Sequence, residues 1–177
     1  KSAQEKYENQ SHYVTLVSFN SNKVKTIYDC CPIHHIKELS STDYQPSACT
    51  PLFDAMGISL TKLKTEVKDG YNVLVTIITD GYENASRKWS ADGVKSLVET
   101  LKTKGWTFTY IGANQDVVMV AESLGVKNSL CFEATEEGTK QMFEKDKKSR
   151  KAFFSKLSFN VANNIHGCLA EDDYFEE

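Results

Sequence analysis

The sequence predicts an α/β fold: three layers around a doubly wound, mainly parallel sheet with one antiparallel edge strand. Three observations carry that prediction. Short β-branched and aromatic runs alternate with helical stretches of roughly ten to fifteen residues, the order that builds βαβ units. One run, Asn72 to Thr79 (NVLVTIIT), is apolar at most positions, as expected of a parallel strand buried on both faces. An early pair of runs, separated only by Asn20-Ser21-Asn22, has the spacing of a hairpin and places an antiparallel strand at the edge.

Taken in order, Lys1 to Gln10 is charged, lacks turn residues and reads as the tail of a helix. Tyr13 to Phe19 (YVTLVSF) is a β-branched and aromatic strand, and Lys23 to Tyr28 alternates as its edge partner. Asp29 to Cys49 is irregular. From Thr50 onward Leu52, Met56, Leu60, Leu63 and Val67 recur every three or four positions, which predicts a helix. Pro51 suits its first turn, Thr50 is the candidate cap, and Asp69-Gly70 ends it. The apolar strand then stops at Asp80-Gly81. Ser90 caps a helix striped by Val94, Leu97, Val98 and Leu101, which Gly105 closes. Trp106 to Ile111 is the next core strand. Asp116 caps a short helix (Val117, Val120, Ala121, Leu124) that Gly125 ends, and Ser129 to Phe132 is a further short strand. Thr135 opens a helical stretch with Met142 and Phe143 on one face, and the charged run Glu144 to Lys151 interrupts it before Phe153, Phe154 and Leu157. Residues 1–157 form one domain, and 158–177 read as a loose polar tail ending in Glu171, Asp172, Asp173, Glu176 and Glu177.

Composition narrows the function. At 177 residues, 40% apolar and 11% aromatic, the chain can bury one core. A net charge of −3 gives no basic excess for nucleic acid. No apolar run approaches the roughly 20 residues of a membrane span. The five cysteines are odd in number and Lys1 to Asn9 is polar throughout, so the thiols are expected to be reduced and the protein cytoplasmic. The sequons at Asn9 and Asn84 then carry no glycan. The nine glycines are never closer than seven residues apart, which excludes dinucleotide and phosphate loops, and no G-x-S-x-G elbow occurs. Binding is therefore expected rather than catalysis. The enzyme alternative is a hydrolase or transferase with Asp80, Asn114 and Asp116 as its polar groups. Cys30-Cys31-Pro32-Ile33-His34-His35 with Cys49 offers zinc-type ligands, but neighbours on an extended chain point to opposite faces and cannot all converge, so loop residues with reduced thiols are the default.

In open α/β sheets a ligand crevice forms at the carboxyl ends of the strands. Ser18, Asn20, Asp80, Asn114 and Asp116 leave strand ends there, and Thr50 at a helix start could join them. Asp80 is the most telling, because a carboxylate emerging from an apolar strand needs a partner. Read singly, Asp80 is a turn former and Thr50 a cap.

Read together, the runs Ala48-Cys49-Thr50-Pro51-Leu52-Phe53-Asp54-Ala55 and Val75-Thr76-Ile77-Ile78-Thr79-Asp80-Gly81-Tyr82-Glu83-Asn84 resemble the second and third metal-site loops of von Willebrand factor type A domains, a Rossmann-like family. The hairpin Tyr13 to Tyr28, with Val17-Ser18-Phe19-Asn20, looks like the strand pair between that family's first and second loops, and Gly105 to Gly112 fits its next core strand. The resemblance, of bacterial type, covers Tyr13 to Phe132. It implies that Thr50 and Asp80 hold a divalent cation, usually Mg²⁺, that Ser18, Asn20 and Asn114 line the rim, and that an acidic side chain of a protein partner completes the coordination. The family's first loop, Asp-x-Ser-x-Ser, is absent from the sequence, and with it the strand that the resemblance puts between Tyr13–Phe19 and Asn72–Thr79. That central slot is expected to be filled by residues upstream of Lys1, with Ser158 to Ile165 folding back, a strand swapped from a second copy, or a topology unlike the family's as alternatives. The competing functional expectation is a metal-free scaffold.

Overall fold

The structure is a computed structural model and describes residues 10–20, 23–40, 49–113, 116–163 and 174–175. Its strands are β1 (Tyr13–Asn20), β2 (Lys23–Pro32), β3 (Val73–Thr79), β4 (Trp106–Ala113) and β5 (Asn128–Phe132). Its helices are α1 (Leu52–Glu66), α2 (Ala91–Lys102), α3 (Val117–Ser123) and α4 (Glu136–Ala162), with a 3-10 turn at Ile33–His35.

The chain is mixed α/β, and its strands form two sheets rather than one. β1 and β2 pair antiparallel from Tyr13↔Pro32 to Asn20↔Lys23, with irregularities between Val14 and Val17. β3, β4 and β5 form a parallel sheet in that order, in register from Val73↔Trp106 to Thr79↔Gly112 and from Thr109↔Asn128 to Ala113↔Phe132. The parallel sheet and the antiparallel pair are separate: among the described residues nothing pairs β1 with β3. The slot left between them is not filled by Ser158 to Ala162 folding back, because those residues belong to α4. Asn164 and Ile165 lie outside the described residues.

All eight residues of β4 are buried, as its central place in the parallel sheet requires. On one face Trp106, Phe108 and Tyr110 pack with Leu52, Met56 and Leu60 of α1, Val94 and Val98 of α2, and Val117 and Ala121 of α3. Phe19 of β1 and Val73 and Val75 of β3 join the same cluster, so both sheets lie against one helical layer. On the other face of the parallel sheet, Thr76 and Thr109 share a hydrogen bond of 3.1 Å, and Arg150 of α4 donates to Thr76 at 3.1 Å.

Local capping follows the sequence at three helices. Ser90 accepts from Gly93, Asp116 from Met119 and Thr135 from Gly138. α1 is different. Pro51 occupies its N-cap position and no side chain of that residue or of Thr50 caps it, so the expected Thr50 cap is corrected. α4 is unbroken across the charged run 144–151, because Asp146 and Arg150 stack one turn apart as an ion pair of 3.0 Å. It also continues past the expected boundary at 157/158 to Ala162. Within the tail, Tyr174 is only 7% exposed: its ring packs on Phe153, its N–H donates to Asn128 Oδ1 and its hydroxyl to Asp146 Oδ1. The five acidic residues of that tail lie outside the described residues. No helix among the described residues is long and apolar enough to cross a membrane.

Candidate functional site

Three chain segments meet at the carboxyl end of β3. The turn leaving the strand is tied by Thr79, whose hydroxyl donates to Gly81 O at 3.1 Å and accepts from Gly81 N at 3.3 Å. Asp80 therefore leaves the strand without serving its own turn. It is exposed, and its carboxylate makes no hydrogen bond among the described residues.

Thr50 lies directly over this turn. A Cβ added to Gly81 would stand 2.7 Å from the Thr50 hydroxyl, so only glycine allows the approach. Asn84 fixes the Thr50 main chain from both sides: its side chain accepts from Thr50 N at 2.8 Å, and its own N–H donates to Thr50 O at 3.2 Å. The Thr50 hydroxyl itself forms no hydrogen bond among the described residues.

Loop 81–90 is clamped onto the start of α1 by two carboxylates that sequence reasoning missed. Glu83 accepts from Phe53 N at 2.9 Å, Ala85 N at 2.8 Å, and Ser86 N and Oγ at 2.7 Å each. Asp54 returns the favour, accepting from the consecutive N–H groups of Arg87, Lys88 and Trp89 at 2.8–3.0 Å. Ser86 Oγ takes Asp54 N at 3.0 Å. Two N–H groups of the first helical turn, those of Phe53 and Asp54, are thus satisfied from a distant loop. Burial pushes the Glu83 carboxyl up, but its donors at Ser86, Phe53 and Ala85 outweigh this and hold it below the ordinary carboxylate range. Asp54 follows the same pattern, held low by the N–H groups of Arg87, Lys88 and Trp89 against the opposing effect of burial. The loop ends with Trp89, whose indole lies so close to Gly57 that a Cβ there would approach within 2.1 Å.

The remaining sequence candidates are dispersed. Ser18 is half-buried in β1, opposite Lys25. Asn20 Oδ1 accepts from Lys23 N at 3.1 Å and so serves the hairpin turn. Asp116 caps α3. Asn114 lies outside the described residues. Cys30, Cys31, His34, His35 and Cys49 do not converge: the two imidazoles stack edge to face at 4.2 Å, Cys31 Sγ faces Pro32 O, and Cys49 is exposed. Cys30, at φ 41° in the irregular part of β2, stands instead beside Asp29 and Glu66. Lys62 already bridges those two carboxylates, so that cluster is an ion-pair network on the β2–α1 seam.

No family model, curated protein or solved structure matches this chain.

Proposed function

We propose that the chain is a von Willebrand factor A-like binding module that captures an acidic group of a protein partner through a divalent cation held at the mouth formed by Thr50 and Asp80. The observation that carries this reading is the seating of the Thr50 hydroxyl on the Asp80-Gly81 turn, with both oxygen-bearing side chains unspent on internal hydrogen bonds among the described residues. One carboxylate and one hydroxyl are hard oxygen donors, which suit Mg²⁺. That ion keeps several waters and accepts few protein ligands, so a partner carboxylate has positions left to occupy. The clamp by Asn84, Glu83 and Asp54 supports the reading further, because it fixes the helix start and the strand end relative to each other before any ligand arrives.

Nothing in the pair of residues activates a nucleophile, so the reading is adhesive and not enzymatic. A magnesium titration followed by thermal unfolding tests it. At ten times the dissociation constant, binding to the folded state alone adds about 1.4 kcal/mol, which for a chain of this size raises Tm by about 3–5 °C. The shift should vanish in Asp80→Ala and shrink in Thr50→Val, which keeps the shape of the side chain and removes the hydroxyl. A shift of the same size in Asp80→Ala would remove the site from this mouth. No shift in the native chain would favour a metal-free scaffold.

A further inference from the structure

Loop 81–90 divides its side chains between two tasks. Glu83, Ser86 and Trp89 turn towards α1, where the first two bond the helix start and the indole lies against Gly57. Tyr82, Asn84, Arg87 and Lys88 stay exposed. Of these, Asn84 is spent on the Thr50 main chain. Arg87 and Lys88 are held through their backbones: their N–H groups, with that of Trp89, converge on Asp54, and the two basic side chains are left outside. Neither makes a salt bridge among the described residues.

The same bonds set the distance of this pair from the mouth. Asp54 lies four residues after Thr50 at the start of α1, a separation of about one helical turn, roughly 6 Å. The loop between is fixed at both ends, by Asn84 on Thr50 and by Asp54 on Arg87 and Lys88, so ordering it costs a ligand little. Glu83 and Asp54 turn their oxygens to N–H groups beneath the loop, and the outward surface there carries the two cations.

We propose that Arg87 and Lys88 form a second subsite, which takes another carboxylate of the same partner, roughly two to four residues along an extended segment from the carboxylate at the mouth. The inference rests on the cation reading for the first carboxylate only. Charge complementarity names the occupant, because two cationic side chains beside a cation-filled mouth favour a segment that is acidic at both points. An extended segment advances about 3.3 Å per residue. Two residues cover the separation, and four allow for the length of the two basic side chains. Arg87 offers a planar fork that fits a carboxylate, and Lys88 a point charge beside it. The lysines of α4 match less well. That helix packs on the opposite face of the parallel sheet from α1, and its Lys147 is paired with Glu144 at 3.8 Å.

Three synthetic peptides test the subsite, each a glycine–serine stretch of roughly ten residues. One carries a single aspartate, the second adds another aspartate about three residues on, and the third has lysine at that position. In an NMR titration with Mg²⁺ present, the native chain should bind the two-aspartate peptide about fivefold more tightly than the single one. The lysine peptide should bind more weakly than either. Arg87→Gln combined with Lys88→Gln keeps the N–H groups that Asp54 accepts from, so it should preserve the magnesium shift in Tm and abolish the preference. Lys147→Gln with Lys151→Gln on α4 should leave the preference unchanged. Equal affinity for the one- and two-aspartate peptides, a preference that survives the Arg87 and Lys88 changes, or one lost in the α4 variant would overturn the subsite. So would failure of both aspartate peptides to bind. The cation reading fails separately: a magnesium shift unchanged in Asp80→Ala would move the ion from the mouth, and a two-aspartate preference that still required Arg87 and Lys88 would keep the subsite.

Discussion

Asp54 and Glu83 between them accept from six backbone N–H groups. Charge-assisted hydrogen bonds to several N–H groups favour the ionised form, which is why both carboxyls sit low despite some burial. The sign of the linkage follows. A carboxyl whose folded pKa is depressed gives stability that is complete above its unfolded value, near pH 4, and is lost as pH falls through the lower folded value. Replacing Glu83 by alanine removes one acceptor contact at the helix start, to Phe53 N, and three within the loop, to Ala85 N, Ser86 N and Ser86 Oγ, and should cost about 2 kcal/mol at neutral pH, the upper range of a lost cap. In urea denaturation the gap in midpoint between native and Glu83→Gln protein should close as pH drops from about 5 to 2. A gap independent of pH would mean that the carboxylate charge is not what holds the loop. These two residues were hidden in the sequence for a physical reason. A cap acting within one turn leaves a spacing signature, as Ser90, Asp116 and Thr135 do, whereas Glu83 caps a helix that begins thirty residues earlier in the chain.

Among the elements, α4 and the tail segment behind it depart furthest from what periodicity suggests. The run of charges from Glu144 to Lys151 breaks the apolar stripe but not the helix, because Asp146 turns inward, is 8% exposed, and finds Arg150 one turn on. Tyr174 covers that pair. Asp172, Asp173, Glu176 and Glu177 flank it in the sequence, so composition pointed to solvent, but a ring to bury and a hydroxyl to donate hold Tyr174 against Phe153 and Asp146. Tyr174→Phe should cost about 1 kcal/mol through the lost hydrogen bond to Asp146, and Tyr174→Ala about 3 kcal/mol through the lost ring as well, both read from chemical denaturation. Burial, with Asp146 beside it, pushes the Tyr174 hydroxyl well above the ordinary tyrosine range despite the opposing Arg150. Because the folded pKa is raised, its contribution is whole below about pH 10 and declines above it, as unfolded tyrosine ionises. An alanine variant as stable as the native chain would show that the segment rests on the surface without holding it.

At the scale of the whole molecule, the strands and their order were legible because each is a short apolar or alternating run between turn residues, and β4 is buried along its full length as its composition implies. The antiparallel pairing of β1 with β2 was legible from the hairpin spacing at Asn20-Ser21-Asn22; how the hairpin stands to the parallel sheet was not, since a backbone edge leaves no mark in side-chain pattern. Thr50 and Asp80 were legible as residues at a helix start and a strand end, and their meeting at Gly81 follows from both being anchored to the same loop. The division into two sheets has a consequence for cooperativity. Among the described residues the β1–β2 hairpin shares no strand pairing with the parallel sheet and is joined to the rest through side-chain contacts such as Phe19 in the apolar cluster, Asp29 paired with Lys62 of α1, and Gln10 donating to Ser158 at 3.0 Å. β4, by contrast, is bonded on both edges. Regions with fewer shared hydrogen bonds open before the whole molecule does. Native-state hydrogen exchange of the chain alone should therefore give β4 amides the global opening free energy. The β1–β2 amides should exchange through a partial opening about 2 kcal/mol or more below it, since only a few side-chain contacts must break. Equal values for the two sheets would mean that the helical layer, with α1 lying across both, couples them into one unit even without a strand between them.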